Sequence, residues 1–255
     1  MRRPVCAKTV LILCLAGGGP LFALSHQRPP GYSYSVPALL IDPALKLKCP
    51  RVALGLVGAH VKVHENSPAL LNEMNNCESA ILQLPDPRSI LESPKILATR
   101  AGYKALGKDP ARYRGSAEAL IRRILSGKRF PQINTVVDII NLASVESRLP
   151  IGLYDRAYVK GDITFRAGLA GESYKGIGKY DLNLEGLAIF CDEEGPHGSP
   201  TSDSERTMVT LTTTNVAGIV ISFGGDDGLL SACERMGQLL VHYAHGHLIT
   251  REIVK

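Results

Sequence analysis

The chain has 255 residues, of which 45% are apolar and 21% are charged, and it contains 25 Gly, 16 Pro and 6 Cys. This composition is that of an ordinary globular protein, and it excludes a disordered, a collagen-like or a disulfide-scaffold chain. The length is sufficient to bury a substantial core. The chain has no Trp and only 5% aromatic residues, which argues against a protein that binds single strands by stacking bases on aromatic rings.

The positive charge is concentrated in one segment. The whole chain has 29 basic and 24 acidic residues, whereas residues 99–129 alone hold nine basic residues against Asp109 and Glu118. A cluster of this kind can supply contacts to phosphate groups. On charge alone, a solvated helix face is the more common explanation.

The N-terminal segment resembles a secretory signal peptide. Basic residues at the start precede an apolar run over residues 9–24, and Ala23-Leu24-Ser25 is an acceptable cleavage site. The run is too short and too rich in helix-poor residues to predict a membrane-spanning helix. Alternatively, translation begins downstream and the segment is an extension without a role. We therefore separate residues 1–35, as a signal-like or wrongly included extension, from a single domain over residues 36–255.

The first half of the domain is predicted to contain one stranded region followed by helices. Residues 52–63 form an apolar, β-branched run that predicts one strand or a hairpin. Caps, stops and helical spacing then predict four helices: one beginning at Ser67-Pro68, one from Pro94 to Leu106, one capped by Ser116 and ending at Gly127, and one from Thr135 to Ser147.

The second half is predicted to be rich in short strands separated by Gly-rich turns. The β-rich stretches are Asp162–Ala167, Leu187–Cys191, Met208–Thr214 and Val216–Phe223. A last helix is predicted from about Asp227 to Ala244. Helices and strands do not alternate regularly enough for a doubly wound parallel sheet, so we predict an α+β domain.

Familiar catalytic signatures are missing from the sequence. It contains no GxSxG elbow, no HExxH pair and no phosphate-binding loop. The segment His242–His247 brings three imidazoles close together, as a metal site would. It lies at the end of a predicted helix, where the helix dipole favours His, and we interpret it as a cap. The sequence therefore predicts neither a metal nor a cofactor.

Two polar stretches stand out among apolar residues. Asp138 and Asn141 are three residues apart, which places them on one face of the predicted fourth helix. Residues 198–207 form a loop that is rich in hydroxyl and carboxylate groups and leads into a predicted strand. A buried hydrogen-bond pair and an ordinary surface turn explain these stretches equally well. Neither stretch specifies a reaction by itself.

Several segments, read in order, resemble one known domain. They are KDPARYRGSAEALIRRILSGKRFPQINTVVDIINLASVESRLPIGLYD, GDITFRAG, GSPTSDSERT and TTTNVAGIVISF. Together they are similar to the tRNA-editing domain of the phenylalanyl-tRNA synthetase β subunit, and more closely to freestanding proteins built from that B3/B4 domain alone. The similarity extends from about Leu45 to Gly225.

The resemblance implies an α+β fold with a mixed or antiparallel β-sandwich-like core flanked by helices. It also implies activity on aminoacyl-tRNA, since the synthetase domain hydrolyses tRNA that carries the wrong amino acid. Freestanding relatives do so in trans, and some of them clear the arginine analogue canavanine from arginine tRNA. The expected partner is therefore an aminoacyl-tRNA in the cytoplasm, with neither DNA nor a membrane.

The resemblance carries over to particular positions. Asp138 and Asn141 match the pattern Val-Asp-x-x-Asn, and residues 150–155 match the turn Pro-x-x-x-x-Asp. The sequence departs from the synthetase at Ile140, where a Thr is typical, and at Gly152, where an active-site His is expected. The tyrosine-sensing pocket of the synthetase is therefore not carried over.

Three kinds of role follow for the residues of this site. Ester hydrolysis needs a positioned water molecule and donors for the oxyanion, and a ribose hydroxyl can assist, so a protein nucleophile is unnecessary. The residues expected to orient water or substrate are Asn141, Glu205 and Thr207. The residues expected to bind the aminoacyl group are Asp138, Gly152, Asp155, Asp203 and Ser204, with Asp203 or Glu205 as the carboxylate for a cationic side chain. The residues expected to meet the tRNA backbone are Arg112, Arg114, Arg122, Arg123, Lys128 and Arg129.

Two other classes of function remain open. A non-catalytic tRNA-binding module explains the basic segment and the missing nucleophile equally well. A secreted protein that uses the same fold for another ligand explains the signal-like N-terminus, although tRNA is absent outside the cytoplasm.

Overall fold

The structure is a computed structural model and describes residues 38–178 and 180–255, so the signal-like segment lies outside the described residues. This part of the chain contains the helices α1 (Pro43–Lys48), α2 (Pro68–Leu82), α3 (Pro94–Ala105), α4 (Ser116–Leu125), α5 (Thr135–Ser147) and α6 (Leu229–Tyr243). Short 3-10 helices cover Pro87–Glu92, Arg156–Tyr158 and Glu205–Thr207.

The strands form two four-stranded sheets and one two-stranded ribbon. They are β1 (Leu39–Ile41), β2 (Ala53–His60), β3 (Ile151–Asp155), β4 (Ile163–Ala167), β5 (Ser173–Lys175), β6 (Asp181–Asn183), β7 (Ala188–Asp192), β8 (Gly195–Gly198), β9 (Asn215–Ser222) and β10 (His247–Val254). The central sheet has the order β10-β2-β9-β3, and the outer sheet has the order β1-β4-β7-β8. Among these strands only β1 and β4 pair in parallel.

The central sheet is buried on both faces. Successive side chains of a strand point to opposite faces, so alternate residues of β2 and β9 belong to different cores. Val57 and Val220 pack with the helices, whereas Leu56 and Ile219 pack with Phe190 of the outer sheet. The chain therefore has helices on one side of the central sheet and the outer sheet on the other. The predicted α+β class, with a mixed sandwich-like core flanked by helices, is confirmed.

The sequence signals for helices are confirmed in all five regions, with one correction. The third helix begins at Ser116, but its cap is Gly115, so the prediction that Ser116 is the cap is wrong. The Ser116 hydroxyl instead accepts a hydrogen bond from the Ile151 backbone N–H at 3.2 Å. That contact joins the start of α4 to the first residue of β3, and Ile151 is too distant in sequence for local signals to reveal it.

The prediction of a strand over Met208–Thr214 is wrong. Threonine favours strands, but its hydroxyl can also hydrogen-bond to nearby groups and form turns. Here the Thr210 N–H donates to the Thr213 hydroxyl at 2.9 Å, and the hydroxyls of Thr210 and Thr212 are 3.0 Å apart. This local network forms a turn before β9.

Strand β10 was not predicted from the sequence. Its residues show no simple alternation of buried and exposed positions, and a register irregularity lies between Leu248 and Thr250. It forms through antiparallel pairing with β2, from His247 opposite His60 to Val254 opposite Leu54. The strand thus depends on a partner that is almost 200 residues earlier in the chain.

Tyr154 fills the space between the two sheets at β3. A Cβ atom on Gly152 would lie 2.1 Å from the Tyr154 hydroxyl oxygen, and a Cβ on Gly198 would lie 2.2 Å from it. Real Cβ contacts are never this short, so neither position can hold a side chain while the phenol ring is in place. The two glycines and the tyrosine therefore form one packing unit.

We expect Gly152→Ala to lower the free energy of unfolding by about 1–3 kcal/mol, because it overpacks this unit. In a Tyr154→Leu protein, Gly152→Ala should lower the free energy of unfolding by less, because the phenol oxygen that the new Cβ would meet is absent. Urea unfolding of the four proteins in this double-mutant cycle gives the coupling between the two positions. If Gly152→Ala lowered the free energy of unfolding equally in the unaltered and the Tyr154→Leu proteins, the close contact between Gly152 and the Tyr154 phenol would be contradicted.

Candidate functional site

Helix α5 carries a polar pair near its start. Asp138 is fully buried, and its carboxylate accepts hydrogen bonds from the Ile133 backbone N–H at 3.1 and 3.2 Å and from the Asn66 side chain. Burial raises the pKa of Asp138, and hydrogen bonds from Asn66, Ile133 and Asn141 offset only part of this. Asp138 and Asn141 therefore share one face of α5, as their spacing predicts. The Asp138 carboxylate also fastens the chain that precedes the helix.

Asp203 closes the open edge of the central sheet. Within residues 38–178 and 180–255, strand β3 is an edge strand, so part of its backbone does not pair with another strand. The Leu153 N–H donates to Asp203 at 3.3 Å, and the Tyr154 hydroxyl and Ser199 N–H donate to its other oxygen at 3.2 and 3.3 Å. We call residues 199–204 the site loop. Asp203 joins this loop to β3.

Buried tyrosine hydroxyls hold the site loop in place. A hydrogen bond of 2.5 Å joins the Tyr103 hydroxyl to the Thr201 hydroxyl, and the Tyr174 hydroxyl donates to the Ser202 carbonyl at 2.5 Å. Tyr154 adds its bond to the loop carboxylate. Burial raises the pKa of all three tyrosines, so they remain protonated at neutral pH. The conformation of the loop thus depends on residues from three separate parts of the chain.

Gly152 and Asp155 lie at the two ends of the same strand. Gly152 lies beneath the Tyr154 phenol, which occupies the space where its side chain would be. Asp155 is buried and accepts hydrogen bonds from the Ala157 N–H at 3.0 Å and from the Thr213 hydroxyl at 2.6 Å. Asp155 therefore fixes the end of β3, and its predicted contact with an aminoacyl group stays a prediction.

Ser204 and Thr207 lie against the end of β8, whereas Glu205 is partly exposed. The Ser204 N–H donates to the His197 carbonyl at 2.9 Å, and the Thr207 hydroxyl donates to the same carbonyl at 3.5 Å. Both side chains are buried. The Glu205 carboxylate forms an ion pair with Lys175 at 2.9 Å.

His197 is a functional candidate that sequence reasoning missed. It is fully buried, and its ring is edge-on to Tyr154 with centroids 4.5 Å apart. Among the described residues, neither of its ring nitrogens has a hydrogen-bond partner, and the Ser204 hydroxyl also lacks one. Burial lowers the pKa of His197 to about 4, so the imidazole is neutral at physiological pH. A lone His between Pro and Gly matches no motif, so the sequence contained no signal for it.

The predicted catalytic residues do not form one hydrogen-bonded cluster. Asn141 is on α5, on the helix side of the central sheet, whereas Glu205 and Thr207 follow β8 of the outer sheet. Within residues 38–178 and 180–255, no hydrogen bond or ion pair joins Asn141 to either of them. The structure thus separates the site residues into an α5 group and a group around the site loop.

The N-terminal part of the basic segment borders the site loop. The backbone N–H of Ser116, the first residue of α4, donates to the Pro200 carbonyl at 2.7 Å. Arg112 and Arg114 are exposed in the turn immediately before α4. The Arg112 guanidinium lies over the Tyr113 ring, 5.5 Å from its centroid. These exposed cations therefore lie within a few residues of the contact with the site loop.

The C-terminal part of the basic segment is largely engaged in internal contacts. Arg122 forms an ion pair of 2.7 Å with Glu118, and the Arg123 side chain donates to the Arg129 carbonyl at 2.6 Å. The Arg129 guanidinium is 3.5 Å from the Glu78 carboxylate. Three of the six predicted tRNA-binding side chains thus already have protein partners.

Glu118 is the buried centre of this arrangement. It accepts two hydrogen bonds of 3.0 Å from Arg100 in addition to the contact with Arg122. Burial opposes ionisation of Glu118, but the hydrogen bonds from Arg100 and Arg122 outweigh it and lower the pKa of Glu118.

Lys128, in the turn after α4, is exposed.

Two surface clefts lie away from the predicted site. One of about 470 Å³ is lined by residues that include Arg166 and Asp192, and one of about 770 Å³ includes Arg235 and Leu248. Neither cleft is lined by a predicted site residue. In the described part of the chain, no group of three or more His, Cys, Asp or Glu side chains is arranged to hold a metal ion. No helix there has the length and apolar character that crossing a membrane requires.

Comparisons with known proteins point to one family. A search of curated proteins finds phenylalanine–tRNA ligase β subunits, which are 34% identical in Brucella abortus (strain 2308) and 37% identical in Paramagnetospirillum magneticum, over 65 residues. The matched segment is 25% of this chain and only 8% of the length of these relatives.

Among solved structures, an N-terminal fragment of the phenylalanyl-tRNA synthetase β subunit from Pyrococcus horikoshii is 17% identical. The match covers 86% of this chain and 54% of the fragment, with a TM-score of 0.44. The profile of the B3/4 domain matches residues 98–225, from α3 to the end of β9. Because this match covers half of the chain, the protein belongs to the B3/4 domain family.

Proposed function

We propose that the chain is an aminoacyl-tRNA deacylase that acts in trans on tRNA carrying a wrong amino acid. The observation that carries this proposal is the hydrogen bond between Ser116 and Pro200, which joins the basic segment to the site loop. Phosphate groups of a tRNA held by Arg112 and Arg114 would position its 3′ end beside that loop. Membership of the B3/4 family, together with the similarity to phenylalanine–tRNA ligase β subunits, supports tRNA as the partner.

The chemistry requires no covalent nucleophile from the protein. Water attacks the ester carbonyl, donors stabilise the oxyanion, and the neighbouring ribose hydroxyl assists the leaving group. We assign Asn141, Glu205 and Thr207 to the orientation of water or substrate. This reaction needs neither a metal nor a cofactor.

A cationic aminoacyl group, such as canavanine, is the substrate class that we assign to this site. Of the two carboxylates in this region, Asp203 already accepts three internal hydrogen bonds. The Glu205 carboxylate pairs with Lys175 in an ion pair at the surface. Exposed ion pairs contribute little to stability. The Glu205 carboxylate can therefore exchange Lys175 for a substrate cation with little loss of free energy. We therefore assign recognition of the cation to Glu205 rather than to Asp203.

A non-catalytic tRNA-binding module is the second candidate, and a specific observation favours it. The carboxylates of Asp138, Asp155 and Asp203 all have hydrogen-bond donors within the chain. Carboxylates that are already hydrogen-bonded within the chain can stabilise the fold without taking part in a reaction. Binding of tRNA without ester hydrolysis distinguishes this candidate from the deacylase.

The full chain should hydrolyse canavanyl-tRNA(Arg) in preference to tyrosyl-tRNA(Phe) in an assay of radiolabelled amino-acid release. Asn141→Ala should slow hydrolysis by about 100-fold, as loss of an oriented donor typically does. Glu205→Gln should reduce the preference for the cationic amino acid, because it removes the charge. The matched controls are Asn76→Ala and Glu185→Gln, which change exposed residues away from the site.

Unchanged hydrolysis in both Asn141→Ala and Glu205→Gln would rule out this site. Salt-sensitive retention of tRNA without any hydrolysis by the unaltered chain would establish the binding module instead.

The two ends of the basic segment should differ in their effect on tRNA affinity. Loss of Arg112 and Arg114 should weaken binding and reduce the slope of log K against log salt concentration by roughly 0.7–0.9 for each lost phosphate contact. Arg123→Ala should change the slope little, because that guanidinium binds the Arg129 carbonyl. Filter binding at several salt concentrations measures both slopes. If Arg123→Ala reduced the salt slope as much as the loss of Arg112 and Arg114 does, the two ends of the basic segment would not differ in their contribution to tRNA binding.

A further inference from the structure

His197 differs from the buried aspartates of the site in the hydrogen bonding of its side chain. Its side chain is fully buried between the two sheets, and neither ring nitrogen has a hydrogen-bond partner among the described residues. Buried polar groups are normally paired, because an unpaired one loses its hydrogen bonds to water without replacement. An imidazole that served only to fill space would gain nothing from its two nitrogens. Its position therefore points to a small polar ligand.

The surroundings of His197 connect it to the candidate site. Its carbonyl receives hydrogen bonds from the Ser204 N–H and the Thr207 hydroxyl, two residues that were predicted from the sequence. The buried Ser204 hydroxyl is itself without a partner in the described part of the chain. The His197 ring contacts Tyr154, whose hydroxyl binds Asp203 in the site loop. His197 thus lies directly beneath the loop that borders the basic segment.

The charged groups near His197 leave it neutral. Asp192 raises the pKa of His197 and Arg206 lowers it, but burial is the largest effect and lowers the pKa to about 4. Asp192 is occupied by Arg206, which donates to both of its oxygens at 3.0 and 2.8 Å. A neutral imidazole has one N–H donor and one acceptor nitrogen, and a water molecule can accept from the first or donate to the second.

We propose that His197 holds the water molecule that attacks the aminoacyl ester, with the Ser204 hydroxyl as a second contact; this inference rests on the deacylase function proposed above. The water oxygen forms a bond to the ester carbonyl carbon, and the bond from that carbon to the ribose oxygen breaks. One proton of the water passes to the ribose oxygen, so that a free amino acid and an intact tRNA result. His197 orients the water and need not be protonated at any step.

The test compares two replacements of similar size in the full chain, His197→Leu and His197→Gln. Leucine fills the space without polar atoms, so the urea midpoint should equal or exceed that of the unaltered protein. Its kcat for the mischarged tRNA should fall by about 100-fold while KM changes little, because the loss concerns water and not tRNA binding. Glutamine can still hydrogen-bond to water and should recover part of the rate. His60→Phe, at an exposed position, is the control for a change of His elsewhere.

A second measurement does not depend on activity. With ¹⁵N-labelled histidine, NMR should show a cross-peak between the His197 ring N–H and a bound water in the free protein. Absence of this cross-peak, or full activity of His197→Leu, would overturn the inference. If the unaltered chain hydrolyses no mischarged tRNA, the proposed function fails and with it the catalytic use of the water. The cross-peak then still decides whether His197 is a water site.

Discussion

Burial of both faces of the central sheet is the constraint on which the other layers depend. Strands β2 and β9 are apolar at almost every position, so neither face of the sheet can be left to water. Residues such as Val57 and Val220 require the helices, whereas Leu56 and Ile219 require the aromatic face of the outer sheet. The helices on one side and the outer sheet on the other are therefore both positioned by the alternation of side chains along β2 and β9. Pairing with β9 then places β3, the strand that carries Gly152 and Tyr154.

The edge of this sheet is where packing and polar chemistry meet. Strand β3 is the last strand of this sheet in the described part of the chain, and the Asp203 carboxylate takes the place of a further strand by accepting the Leu153 N–H. The phenol of Tyr154 binds the same carboxylate and fills the space over two glycines. The site loop is consequently held by the core of the sandwich. The hydrogen bond from Ser116 to Pro200 extends this rigid connection to the exposed arginines before α4.

The polar groups of the region differ in how completely they are paired. Asp138 and Asp155 are buried and accept hydrogen bonds from both backbone and side chains, so their contribution to the fold is evident. His197 and Ser204 are as deeply buried but lack partners for their side-chain atoms within the described residues. A satisfied network stabilises a fold, whereas unpaired groups at its centre indicate a ligand. This contrast is the basis for our proposal that His197 and Ser204 contact a water molecule, whereas Asp138 and Asp155 support the fold.

The sequence by itself determined the features that depend on neighbouring residues. Caps and apolar spacing located α2 and α5, and the three-residue separation of Asp138 and Asn141 placed them on one face of a helix. The motifs in order also identified the family. Tertiary structure alone decided that β10 pairs with β2 and that Asp203 binds a strand 50 residues earlier. It also decided that His197 is buried with no hydrogen-bond partner for its ring nitrogens among the described residues. These features depend on groups that are distant in sequence, and no local pattern encodes which distant groups will meet.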